Sequence, residues 1–181
     1  MSCDLSQGRI EPCKDSVGGI KNLYFVNFGN IDSYTMDGVD VDVVDGFVST
    51  SSIVGYKYEL KGGNNLEQTV NSSRENGTTF VEQTLTAVLK KQDVATHKQI
   101  KLLSFGRPRV VVEDYNGNFF LMGKDHGAEV TTAAISTGTA MADLSGYTIT
   151  MVATELIPAN FIDATSTTIE ASPFFDSVVT S

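Results

Sequence analysis

The sequence predicts a mainly β protein, a β-sandwich or barrel of two packed antiparallel sheets with one flanking α-helix. Seven or eight segments are rich in β-branched and aromatic residues, or alternate apolar with polar residues, and lie between turn signals. One segment alone has helical spacing, so no strand–helix rhythm of a doubly wound fold is present. An apolar fraction of 41% is enough for one core and too high for disorder.

The first half of the chain contains four predicted strands, each followed by turn residues. They cover residues 20–28, 54–61, 66–74 and 78–90. In the longest of them, TTFVEQTLTAVLK, the set Leu85, Ala87 and Leu89 alternates with Thr84, Thr86 and Val88. This strand therefore has one apolar side and one threonine-rich side.

The single helix is predicted over residues 93–105, and the remaining strands follow it. Asp93 is a suitable N-cap, because its carboxylate can accept the free N–H groups of the first turn, and Gly106 is a suitable stop. Residues 109–113 and 118–122 flank Asn116-Gly117 and predict a hairpin. Further strands are predicted at 128–135 and 147–156.

The predicted organisation is one domain at residues 20–162, with an N-terminal arm at 1–19 and a C-terminal tail at 163–181. The arm is polar and ends in Gly18-Gly19. The tail follows Pro158 and is expected to dock only against something else.

A long acidic segment at residues 30–52 separates the first two strands. Its alternation around Val39, Val41 and Val43 suggests either a short strand or a long hairpin loop with one carboxylate face. The carboxylates are those of Asp32, Asp37, Asp40, Asp42 and Asp45. A calcium loop of the EF-hand type is disfavoured, since Val44 stands where a ligand is needed. A solvated or channel-facing edge is the favoured interpretation.

Nothing in the sequence has the spacing of a catalytic, metal or cofactor site. His97 and His126 are interpreted as structural or exposed, and Cys3 and Cys13 fit neither a zinc site nor a disulfide framework. We expect no enzyme activity and no cofactor. We also expect no membrane segment, because no apolar run approaches the roughly 20 residues that a membrane helix needs.

The net charge of −9 argues against nucleic-acid binding, which requires clustered lysine and arginine. Such a charge either gives solubility or lets DNA pass without adhering. Basic residues do cluster in sequence around the helix, and they form either an ordinary solvated face or an assembly patch for the acidic segment of another copy. They are Lys90, Lys91, Lys98, Lys101, Arg107 and Arg109.

Three blocks of the chain resemble tail tube proteins of tailed bacteriophages, and look closest to those of phages of Bacteroidetes-type hosts. The blocks are Glu75–Lys91, Ile100–Ala133 and Asp143–Ile162, and the opening Cys3–Phe28 is also similar to that family. The resemblance implies a sandwich that assembles into stacked rings of six around a DNA conduit, with residues 30–52 reaching the next ring. It also implies other tail proteins as partners (terminator, baseplate and possibly sheath), assembly in the host cytoplasm, and a place in the virion tail.

Two other interpretations stay open. A neck or connector ring protein, or a baseplate component, would share the fold. A carbohydrate- or cell-surface-binding β-sandwich module is the alternative from another class, and the absence of tryptophan counts against it.

Overall fold

The computed structural model describes residues 7–180 and has two β-sheets and one α-helix, which confirms the predicted fold class. The described chain contains twelve strands, more than the seven or eight predicted. The strands are β1 Ile20–Val26, β2 Ser33–Met36, β3 Val43–Val48, β4 Val54–Glu59, β5 Asn65–Ser73, β6 Thr78–Lys90, β7 Arg109–Asp114, β8 Phe119–Met122, β9 Glu129–Ser136, β10 Gly146–Glu155, β11 Asn160–Ile162 and β12 Ser177–Val179. The helix, α1, is Val94–Leu103.

The larger sheet has eight strands in the order β12-β4-β1-β7-β8-β11-β3-β2. Its pairs are antiparallel except β11 with β3 and β12 with β4, which are parallel. The parallel pairs differ from the predicted all-antiparallel arrangement. Both pairs involve a short C-terminal strand, and a long stretch of chain separates each of these strands from its partner. Parallel neighbours require such a long connection, because a tight turn can join only antiparallel strands.

The central strand β1 is buried on both faces. Leu23 and Phe25 pack toward the smaller sheet, whereas Tyr24 and Val26 lie in a second core on the opposite face. Burial of both faces explains why this strand is almost continuously apolar instead of alternating.

The smaller sheet has four strands in the order β5-β6-β10-β9, all antiparallel. Leu85 and Ala87 of β6 are buried beside Ile149 and Met151 of β10, in the core between the two sheets. Thr84 and Thr86 are only half-buried on the other side, as the alternation of β6 predicted.

Helix α1 begins where the sequence predicted and ends earlier. Asp93 Oδ1 accepts a hydrogen bond from the Thr96 amide at 2.7 Å. Hydrogen bonds from the Thr96 side chain and backbone lower the pKa of Asp93. The last turn closes at Ser104, whose hydroxyl donates to the Ile100 carbonyl at 2.9 Å, so Phe105 lies outside the helix.

The C-terminal segment is part of the fold, so the expectation that it docks only against something else is wrong. Phe175 is fully buried, with its ring centroid 5.7 Å from that of Tyr24 and 5.8 Å from that of Phe47. Ile169 and Phe174 are buried in the same second core, and β12 adds an edge strand to the eight-stranded sheet. Ser181 lies outside the described residues.

A buried carboxylate ties this segment to the sheet. Glu113 accepts hydrogen bonds from Lys21 Nζ at 2.8 Å, Asn22 Nδ2 at 2.6 Å and Ser166 Oγ at 2.7 Å. Burial raises the pKa of Glu113, but these hydrogen bonds and the lysine charge outweigh it and hold the pKa below its usual range.

Residues 7–19 of the predicted arm form no helix or strand and are mostly exposed. The arm is attached at its end, where the Val17 amide and carbonyl bond to the side chain of Asn116, each at 2.8 Å. Cys13 is a free, exposed thiol, and Cys3 lies outside the described residues.

Candidate assembly surfaces

The four-stranded sheet has two long edges without strand partners. β5, with nine residues, and β9, with eight, are its end strands, and nearly all their side chains are exposed or half-buried. Within residues 7–180, no strand pairs with the outer side of either one. Gln92 Nε2 does donate to the carbonyl of Ser136 at 2.6 Å, but this contact touches just the last residue of β9.

These edges have few of the features by which monomeric proteins protect a sheet edge. Neither NLEQTVNSS nor EVTTAAIS contains proline or lysine, the residues that commonly discourage edge pairing. A register irregularity opposite Thr150 and Met151 gives β9 one bulge. Exposed strands of this length are templates for pairing with another chain.

The solvent-facing side of this sheet is rich in hydroxyls and carboxylates. The register places Glu67, Thr84, Val152 and Glu129 side by side in one row across the four strands. The neighbouring row contains Asn65, Thr86, Thr150 and Thr132. Glu82 and Lys90 of β6 lie on the same face. Its strands therefore carry three carboxylates, those of Glu67, Glu82 and Glu129, and one ammonium group, that of Lys90. It is therefore mildly anionic and polar.

The acidic segment forms a hairpin of β2 and β3, with the tip at residues 37–42. Asp37 Oδ1 accepts from the Val39 amide at 3.1 Å, and Asp40 Oδ1 accepts from the Asp42 amide at 3.0 Å. Asp37, Asp40 and Asp42 are thus brought together at the tip, whereas Asp45 lies exposed on β3. The hairpin alternative of the sequence prediction is correct, and the strand starts only at Val43.

The structure does not gather the predicted basic residues into one patch. Lys90 and Lys91 line a hollow before α1, and Lys98 and Lys101 line another on the helix surface. Arg107 follows the helix, with its guanidinium 4.3 Å from the ring centroid of Phe28. These five side chains are exposed but line three different hollows. Arg109, the sixth predicted residue, is buried and donates hydrogen bonds to the carbonyls of Phe28 and Ile31, each at 2.8 Å.

Sequence reasoning missed an apolar groove beside the helix. Leu102 and Leu103 of α1 and Tyr56 and Tyr58 of β4 line it, together with Phe25, Asn27, Phe28, Gln99, Gly106, Arg107 and Pro108. The tyrosines were assigned to a half-buried strand, but nothing in the sequence indicated that a helix 40 residues later would line the same groove.

His126 contacts a carboxylate that the sequence did not indicate as its partner. Its Nδ1 lies 2.9 Å from Glu155 Oε2, and Glu155 Oε1 accepts the amides of Asp125 and His126 at 3.0 and 2.9 Å. The carboxylate therefore fastens the turn after β8 to the end of β10, which is a structural role.

Residues 7–180 offer neither a metal site nor a helical membrane span. They contain no group of three or more His, Cys, Asp or Glu side chains placed to hold a metal ion. None of their helices has the length and apolar character required to cross a bilayer.

No family model, curated protein or solved structure matches this chain. The candidate assembly surfaces, two open sheet edges, an anionic sheet face, an acidic hairpin tip and an apolar groove, are suited to association between protein chains.

Proposed function

We propose that this chain is a non-catalytic structural protein of a bacteriophage virion, the subunit of a tail tube. Copies join edge to edge through the four-stranded sheet and close into rings of six, which stack into the conduit for DNA. The observation that carries the proposal is the pair of long, unpaired edges, β5 and β9, on one sheet.

The strand directions suit closure of a ring. Strands alternate in direction across β5-β6-β10-β9, so the two edge strands of one copy run in opposite directions. When copies are related by rotation, β9 of one copy meets β5 of the next in the antiparallel sense, and the sheet continues without interruption. Six copies would make a barrel of twenty-four strands, wider than barrels that already enclose channels.

The difference between the two faces of the sheet supports a choice of which face would line the lumen of the proposed barrel. One face packs on the larger sheet and α1, so these elements lie on the outside. The face with Glu67, Glu82, Glu129 and the threonine rows then forms the wall of the lumen. A polar, mildly anionic wall repels phosphate groups and allows DNA to pass without adhering.

This role requires no cofactor and no chemistry on a substrate. Its partners are other copies of the chain, the tail proteins at the two ends of the tube, and DNA that passes without specific binding. Its place is the virion tail, after assembly in the host cytoplasm.

Negative-stain electron microscopy of the purified protein at increasing concentration tests the proposal. Rings or tubes with a central hole are the expected result. A monodisperse monomer at every concentration would overturn the proposal. Copy number in virions separates a tube subunit, which is abundant, from a connector or baseplate component, which is scarce.

A further inference from the structure

Two Asn-Gly pairs lie in turns of this fold, and their surroundings differ. Asn76-Gly77 belongs to the turn between β5 and β6, and Asn116-Gly117 belongs to the turn between β7 and β8. In both pairs the asparagine and the glycine are exposed. The backbone nitrogen of the next residue can attack an asparagine side chain, and glycine obstructs this ring closure least because it has no Cβ. Hydrogen bonds that hold the side chain or the nitrogen oppose the reaction.

Asn116 is held at both atoms of its side-chain amide. Its Oδ1 accepts a hydrogen bond from the Val17 amide at 2.8 Å, and its Nδ2 donates to the Val17 carbonyl at 2.8 Å and to Asp114 Oδ2 at 3.2 Å. The Gly117 amide, which would be the attacking group, donates to the Asp114 carbonyl at 3.4 Å. These bonds must open before the Asn116 side chain can meet the Gly117 nitrogen. The N-terminal arm therefore protects this pair.

Asn76 lacks such restraints. Its backbone amide donates to Ser73 Oγ at 3.3 Å, but its side chain forms no hydrogen bond with any of residues 7–180. Within the same described part of the chain, the Gly77 amide donates no hydrogen bond. Gly77 has a φ of +61°, and apart from its chain neighbours no atom lies within 4 Å of the position that a Cβ would take. The Asn76 side chain is therefore free to rotate toward the Gly77 nitrogen in the folded protein.

We propose that Asn76 is a site of spontaneous deamidation and that Asn116 is its protected counterpart. Base removes the proton from the Gly77 nitrogen, which forms a bond to Asn76 Cγ while the Cγ–Nδ2 bond breaks. Nδ2 takes up the displaced proton and leaves as ammonia, and a succinimide ring remains. Water then opens the ring at either carbonyl and leaves aspartate or isoaspartate at position 76. The overall change consumes water and releases ammonia, with no oxidant or cofactor.

Either product changes the turn that follows the free edge strand β5. A new carboxylate appears next to Glu75, so the net charge of −9 becomes more negative by one unit. The isoaspartate form also lengthens the main chain, because the chain then runs through the former side chain. The reaction requires only water and the folded monomer, so this inference goes beyond the proposed function and does not depend on it.

Peptide mapping by mass spectrometry tests the proposal on the full chain. The protein is incubated in mildly alkaline buffer at a concentration where it is monomeric, and samples are digested briefly with trypsin. The peptides Glu75–Lys90 and Val110–Lys124 contain the two pairs separately, and chromatography resolves their aspartate and isoaspartate forms. We expect conversion at position 76 to be about a hundredfold faster than at position 116, because three side-chain hydrogen bonds must open at Asn116.

Two variants and a denatured sample serve as controls. Asn76→Gln, whose longer side chain closes a ring less readily, should stop the change at position 76. Val17→Pro removes the amide that donates to Asn116 Oδ1, so it should accelerate conversion at position 116 about fivefold with no effect at position 76. In concentrated guanidinium chloride these hydrogen bonds are absent, and both positions of the parent should convert at similar rates.

The outcomes decide both parts of the proposal. Faster conversion at position 76 than at position 116, with the difference lost on denaturation, supports it. A position 76 that stays unmodified in the folded parent overturns the deamidation site. Equal rates at the two positions in the folded parent, or a Val17→Pro protein in which position 116 stays as slow as in the parent, overturns protection by the arm.

Discussion

Blocking one edge of the four-stranded sheet should prevent assembly and leave the fold intact. Successive residues of a strand point their N–H groups to opposite sides, so one of the neighbours Thr69 and Val70 in β5 points to β6 and the other points outward. Proline has no N–H and its ring obstructs pairing. Of Thr69→Pro and Val70→Pro, one should block only the free edge, and the other should break the pairing of β5 with β6.

The expected size of the effect follows from the length of the edge. Nine residues at about 3.4 Å each give a free edge of about 30 Å. Pairing with the eight residues of β9 would form about eight hydrogen bonds, each contributing about 0.5–1.5 kcal/mol. Loss of one bond together with the obstruction by the ring should cost about 2 kcal/mol, which corresponds to a factor of about 30 in the concentration needed for assembly.

Sedimentation velocity across a concentration series measures assembly, and urea unfolding of the monomer measures stability. The variant at the outward position should unfold like the parent and yet remain monomeric at concentrations where the parent forms rings. Pairing through the free edge of β5 is ruled out if both variants assemble as the parent does, or if only the variant with a destabilised monomer fails to assemble.

The remaining predictions concern stability and are checked by urea unfolding. Phe175→Ala should lower the free energy of unfolding by about 3–5 kcal/mol, whereas Phe105→Ala, at an 84% exposed site, should change it by less than about 0.5 kcal/mol. Because the native pKa of Glu113 lies below its usual 4.5, its contribution is present above about pH 4.5 and is lost as the pH falls through the native value. Glu113→Gln should therefore be less stable than the parent by about 1–3 kcal/mol at pH 7. The difference between the two proteins should shrink as the pH falls below about 4.5. Asp93→Ala should lower the free energy of unfolding measurably, because it removes the helix cap, and Asp15→Ala in the arm should leave it unchanged. If Phe175→Ala left the free energy of unfolding unchanged, the C-terminal segment would not be part of the core.

Local patterns in the sequence were sufficient for the longest elements. The alternation of Leu85 and Ala87 with Thr84 and Thr86 predicted β6 with its correct bounds and its buried side. Asp93 predicted the start of α1, because capping depends on the two or three residues that follow it. The end of the helix was predicted two residues late, since the Ser104 hydroxyl caps the Ile100 carbonyl before Gly106 is reached.

The sequence by itself determined the mainly β class, the hairpin at Asn116-Gly117 and the polar side of β6, because periodicity and turn chemistry act between near neighbours. Tertiary structure alone decided that the C-terminal phenylalanines fill a second core, and that Leu102 and Tyr56 line one groove. It also decided that β5 and β9 are the strands left at the edges of their sheet. Those features depend on contacts between residues far apart in the chain, and strand order and the packing of irregular segments leave no periodic mark in the sequence.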